Sequence, residues 1–177
     1  FANTGTASAQ SGTILFASNT VLTSSGAANT LSASPGGAIS FLGDASFTDT
    51  AFIGSGAHIL DGANYVLNGN ISSTNLEFRA GTLTNSTAAT MTGTMNWTGG
   101  VIGTPANLTI PSGSFLNLSG TANKSFVGPG TINNSGTTTW TGSGALMLDS
   151  NASFNNQPGG AFDVQNAASL SSNTPGT

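Results

Sequence analysis

The sequence predicts an all-β protein, a parallel β-helix (β-solenoid) of about eight coils. Three observations lead there. First, a phrase recurs: residues 130–137 read Gly-Thr-Ile-Asn-Asn-Ser-Gly-Thr and residues 152–159 read Ala-Ser-Phe-Asn-Asn-Gln-Pro-Gly, which sets Ile132 and Phe154 22 positions apart. The ending Gly176-Thr177, joined to the opening Phe1-Ala2-Asn3-Thr4-Gly5-Thr6, spells the phrase a third time. A period near 22 belongs to stacked solenoid coils, about 4.8 Å of rise each, so the chain makes a rod on the order of 40 Å long. Second, short apolar-alternating segments are separated by Gly, Asn or Pro at roughly 8 to 12 residue spacing, the pattern of an all-β fold. Third, only 5% of residues are charged. In a parallel coil, like residues stack on like, so stacked charges repel whereas Thr, Asn and Phe stack favourably.

In chain order, strands are expected over residues 13–16, 38–42, 58–60, 65–67, 76–78, 94–97 and 108–110, where apolar and polar residues alternate. The second half continues with 115–118, 125–127, 138–140, 146–148 and 162–164. Glycine before Thr or Ser starts a strand at Gly12, Gly81, Gly93, Gly113, Gly130 and Gly136. The pairs Asn133-Asn134 and Asn155-Asn156 are expected to take left-handed φ at strand ends and to stack as amide ladders. Residues 165–173 are the least strand-like and read as a turn. Helix has little room, because the 25 glycines and the many threonines interrupt nearly every long stretch. Alternation places Phe16, Phe41, Phe78, Leu83, Trp97, Leu108, Ile110, Leu116, Leu118, Phe126, Ile132, Trp140, Leu146, Leu148, Phe154 and Phe162 in the core.

Composition narrows function. Net charge is −4, and Arg79 and Lys124 are the only basic residues, too few to neutralise a run of phosphates or to hold an anionic membrane surface. Nucleic acid is excluded as a partner. No apolar run approaches the roughly 18 residues of a membrane span, so membrane insertion is not expected. Absence of cysteine removes disulfides, thiolate metal sites and cysteine nucleophiles. A Ser-, Thr- and Asn-rich chain with one Lys has the composition of a secreted bacterial surface protein, which points to an extracellular or cell-surface location. The opening residues lack a basic n-region and an apolar h-region, so a targeting segment would lie outside them.

Residues 130–164, with Gly93-Thr94-Met95-Asn96-Trp97-Thr98-Gly99-Gly100 and residues 110–120, resemble repeat units of large secreted β-helix surface proteins of bacteria. Those are distantly similar to filamentous-haemagglutinin and autotransporter adhesins. The resemblance implies a right-handed parallel β-helix in adhesive or structural use, and it supplies no catalytic residues.

Candidate chemistry is sparse. The acids Asp44, Asp49, Asp61, Glu77, Asp149 and Asp163 are scattered, whereas polysaccharide-cleaving chemistry needs several carboxylates on one groove. Glu77 and Arg79 share a strand side and form a surface ion pair. His58 is the single histidine and is placed at an exposed or rim position. Lys124 reads as a loop residue. The Asn-x-Ser/Thr sequons, among them Asn70, Asn85 and Asn107, are frequent enough to arise by chance. The Thr-x-Thr pairs Thr48/Thr50, Thr82/Thr84, Thr92/Thr94 and Thr137/Thr139 suggest an ice-binding face, but their separations follow no one coil length, which argues against a continuous ladder.

The expectation is therefore one solenoid module over residues 1–177, a unit of a head-to-tail array, serving as structural material of an extracellular filament, stalk or adhesin. Its partners are identical copies, Thr177 of one beside Phe1 of the next, with glycans or surfaces as further partners. The alternative is a glycan- or ice-binding surface module, which would differ by presenting Trp or Tyr rings outward for sugars to stack on. No enzymatic activity, catalytic residue, cofactor or metal is expected.

Overall fold

The computed structural model describes residues 1–19, 21–26, 29–103 and 107–173. All regular structure among these residues is strand, and every strand pairing is parallel. The chain winds as a three-sided parallel β-helix. The first coil is β1 (Ala2–Asn3), β2 (Thr6–Ala9) and β3 (Gly12–Phe16), one strand on each of sides 1, 2 and 3. β4 (Leu22–Ser24), β5 (Thr30–Ala33) and β6 (Gly37–Phe41) lie above them as the second coil. β7 (Ala45–Thr48), β8 (Ala51–Ile53) and the start of β9 (Ala57–Thr84) form the third. β9 stays strand-like around the corners of the whole fourth coil and the first side of the fifth, which β10 (Ala89–Trp97) completes.

The sixth coil is β11 (Gly100–Ile102), β12 (Asn107–Ile110) and β13 (Phe115–Leu118); the seventh is β14 (Lys124–Val127), β15 (Thr131–Asn134) and β16 (Thr137–Trp140). β17 (Leu146–Asp149), β18 (Ser153–Asn156) and β19 (Ala161–Val164) make the eighth, and β20 (Leu170–Asn173) adds one strand on side 1. This is the about-eight-coil solenoid that the period predicts. Residues 170–173 are strand rather than turn, because Leu170 and Ser171 pair with Leu146 and Met147 below and inherit their extended backbone.

Coil length is uneven. Register partners are 25 residues apart at Gly12 and Gly37, 22 at Ile132 and Phe154, and 19 at Ala38 and Ala57. Corners absorb the difference. At the tightest ones only glycine fits: Gly93 has φ +80, and a Cβ there would run into the Ser73 carbonyl of the coil below.

Alternation turns every second side chain inward, so the core is a narrow column along the rod. Among the expected core residues, thirteen are buried, from Phe16 to Leu146. Leu148, Phe154 and Phe162 are only partly buried, because they belong to the last full coil: no described strand pairs above β18 or β19, and over Leu148 the register places only Ser172 of β20. Rings thread the first three coils: Phe16 stacks on Phe41 at 5.1 Å, Phe41 meets Phe47 edge-on at 5.2 Å, and Phe47 meets Phe52 at 5.1 Å. Each such pair adds about 0.5–1.5 kcal/mol beyond area burial. The asparagine ladder forms, with Asn134 Nδ2 donating to Asn156 Oδ1 at 2.8 Å. The pairs sit inside extended strands, however; the non-glycine residues described with positive φ are Asp49, Ser150 and Asn151.

Candidate functional site

The side chains that carry chemistry are spread along the rod. Asp44 Oδ1 accepts from the backbone N–H of Asn64 at 3.0 Å, and Asp49 Oδ1 accepts from the N–H of Asn70 at 2.8 Å. Each carboxylate thus ties a corner to the coil above, at two different corners, and the two are not brought into one site. Arg79 donates to Glu77 at 2.8 Å on the exterior of side 3, the ion pair read from their spacing. That hydrogen bond raises the Arg79 pKa above its ordinary value.

His58 is fully buried rather than exposed. It occupies an inward position of β9, where the side-3 alternation aims it at Phe52, 5.5 Å away ring to ring. Its Nε2 donates to the Leu31 carbonyl at 3.0 Å, and Nδ1 lies 3.0 Å from Asn75 Oδ1. Both ring nitrogens are engaged in holding coils together. Lys124 is likewise no loop residue: it is the first residue of β14, faces inward and is fully buried. Its ammonium donates to the Ala122 carbonyl at 2.9 Å, and desolvation lowers its pKa. Tyr65 is buried too, its hydroxyl donating to the Phe41 carbonyl at 2.6 Å, and burial raises its pKa. Among the described residues no three His, Cys, Asp or Glu side chains gather where a metal ion could be held.

Two surfaces have more organisation. One is the exterior of side 2. Its outward pairs are Thr6/Ser8, Thr30/Ser32, Ala51/Ile53, Asn70/Ser72, Thr90/Thr92, Asn107/Thr109, Thr131/Asn133 and Ser153/Asn155, so a hydroxyl or amide pair faces out in every coil but the third. Registers align Asn70, Thr90, Thr109, Asn133 and Asn155 in one rank, and Asn107, Thr131 and Ser153 in the next. Neighbours are about 4.8 Å apart along a rank and about 6.7 Å across ranks. No charge interrupts them. The Thr-x-Thr pairs singled out in the sequence do not build this array: Thr48, Thr82 and Thr137 lie on other sides, and Thr92 and Thr94 straddle a corner. The signal that marks the array is an apolar residue flanked by hydroxyls or amides, as in Thr-Met-Thr, Asn-Leu-Thr, Thr-Ile-Asn and Ser-Phe-Asn, tracked by side instead of by fixed interval.

The other surface is the pair of rod ends. β18, β19 and β20 pair only downward, and β1, β2 and β3 only upward, so each end presents three strand edges without a described partner. Around the β20 end, Leu146, Leu148, Phe154, Asn156, Phe162 and Leu170 bound a hollow of about 260 Å³. At the other end Phe1 is 59% exposed and its ring lies 5.3 Å from Phe16. Thr177, expected at the junction between copies, lies outside the described residues.

Comparison with known proteins identifies no relative: no family model, characterised protein or solved structure matches the chain.

Proposed function

We propose that this solenoid is a structural module of an extracellular filament, stalk or adhesin, stacking head to tail with identical copies. The observation that carries the reading is the state of the rod ends, where strand edges and apolar core lie uncovered among the described residues. Unpaired parallel edges template further strands, and apolar surface favours burial. A contact between unlike ends is heterologous and grows as an open filament. The reading requires no enzymatic chemistry, and its mechanism is mechanical: hydrogen bonds run along the rod axis and each coil templates the next. The near-uncharged composition, rich in Ser, Thr and Asn, accords with the extracellular setting. Sedimentation velocity and negative-stain microscopy across a concentration series test it. Rods that lengthen with concentration at constant width are expected; a species that stays monomeric throughout overturns the reading.

The second reading, a glycan- or ice-binding surface, is favoured by the side-2 ranks. Trp97, Trp140 and Tyr65 are all buried, so no Trp or Tyr ring is offered for a sugar to stack on, and side 2 presents a hydroxyl and amide lattice better suited to ordered water. Inhibition of ice recrystallisation that is lost in Thr109→Lys and kept in Thr139→Lys, on side 3, supports this reading. No inhibition by the parent chain removes it.

A further inference from the structure

We infer that successive copies meet with a rotation of one third of a turn, so that β1, β2 and β3 of one copy lie on β18, β19 and β20 of the copy before it. The inference rests on the stacking reading and specifies its joint. Chain order visits sides 1, 2 and 3 in turn, and the described strands open and finish on the same side, β1 and β20 both being on side 1. The strand that continues the helix after β20 must therefore lie over β18, on side 2. Setting side on like side gives two arrangements. In one, β2 covers β18 and β1 falls at the level of β20, two strands in one place. In the other, β1 covers β20, and sides 2 and 3 are left one strand short. Turning the incoming copy by one side removes the conflict and pairs all three edges that lack a described partner.

Residue chemistry selects the same arrangement. In β15 and β18 the registers Ile132 to Phe154 and Asn134 to Asn156 form one apolar column and one amide column. β1, with the residue before it, offers Phe1 and Asn3 at the same spacing. Laid on β18, Phe1 continues the apolar column over the hollow beside Phe154, and Asn3 continues the amide ladder. Asn3 already behaves as Asn134 does. Asn134 Nδ2 donates across its corner to the Ala161 carbonyl at 2.8 Å, and Asn3 Nδ2 donates to the Thr30 carbonyl at 3.3 Å. Both acceptors open the strand on the next side of the next coil, 27 residues ahead. The corners that follow are Asn3-Thr4-Gly5-Thr6 and Asn134-Ser135-Gly136-Thr137. Asn3 on side 1 is thus the counterpart of Asn134 on side 2, which is the relation a one-third rotation requires. Through that corner Ala7 and Ala9 fall over Phe162 and Val164, small side chains over large ones.

Disulfide trapping tests the joint, with no background because the chain has no cysteine. Residues stacked across a parallel joint bring Cα atoms to about 4.8 Å, within disulfide reach. The rotated joint puts Ala2 over Asn155, whereas β1 on β20 puts Ala2 over Ser171. The full chain carrying Ala2→Cys with Asn155→Cys, and a second carrying Ala2→Cys with Ser171→Cys, are oxidised under conditions where the parent chain assembles and run on non-reducing gels, with circular dichroism confirming the fold. A multimer ladder from the first variant alone is the expected result. A ladder from the second alone keeps stacking and overturns the rotation, as does assembly by sedimentation with neither variant cross-linking. If neither cross-links and the parent chain stays monomeric, the stacking reading fails and the joint with it.

Discussion

Truncating Phe126 and Phe154 separately measures how far the rod interior differs from its end. Phe126 sits in β14 with Leu148 above it in register, is fully buried, and has intact coils on both sides. Phe126→Ala leaves a closed cavity, so the loss combines transfer and cavity terms, about 3–5 kcal/mol. Phe154 occupies the corresponding kind of inward position in β18, but it is partly exposed and borders the open hollow. Its removal opens space continuous with solvent, so little cavity term arises and only part of a Phe transfer energy is lost, about 1–2 kcal/mol. Urea unfolding at low concentration gives both numbers. Amide exchange on the neighbouring strands is needed beside it, because coils of a solenoid open separately and a single transition can hide a local loss. A loss below about 1 kcal/mol for Phe126→Ala would show the inward side to be misassigned. Equal losses at the two positions in the monomer would show that the end is covered after all. If copies stack as proposed and so close the hollow, the Phe154→Ala loss should grow toward that of Phe126→Ala as concentration rises.

Lys124 is held below its ordinary pKa of 10.5 by desolvation. Protonation therefore favours the unfolded chain, and stability rises with pH between the lowered folded value and 10.5. Lys124→Met should abolish that rise and gain on the order of 1 kcal/mol at neutral pH, where the buried ammonium costs most; urea midpoints that keep a constant gap between variant and parent across this range count against it. Gly93→Ala should lose about 1–3 kcal/mol from positive φ and the Ser73 carbonyl together, and a neutral thermal midpoint would show that the corner relaxes freely. Asn134→Ala should lose about 0.5–1.5 kcal/mol by removing the amide that donates to Asn156 Oδ1 and to the Ala161 carbonyl, read as faster exchange in β18 and β19; unchanged exchange there would discount the ladder.

The architecture was legible because every level of the sequence agreed on it: strands of three to five residues, turn residues between them, and one phrase at coil spacing. What stayed hidden was whatever depended on which side a residue faces. His58 and Lys124 are polar residues at inward positions, and composition argues against placing either there. Only the alternation around them, His58 two before Leu60 and Lys124 two before Phe126, carries the burial signal. The side-2 array was missed for a related reason. Fixed-interval comparison assumes equal coils, while register partners here range from 19 to 25 residues apart. Which apolar side chains of the last coil stay partly exposed could not be read from sequence, since a partly covered Phe162 and a covered Trp140 share one pattern.

Uneven coils have a further consequence. A strand in this rod takes its address from the strand beneath it, through hydrogen bonds, rather than from its distance along the chain. An insertion or deletion at a corner is therefore corrected within one turn, and later coils inherit no error. The open corner at Pro35-Gly36, both exposed and with free space around Gly36, is such a position. A foreign loop placed there would be carried as cargo at a fixed height on the shaft, making the rod a ruler on which attachment points can be chosen independently of one another.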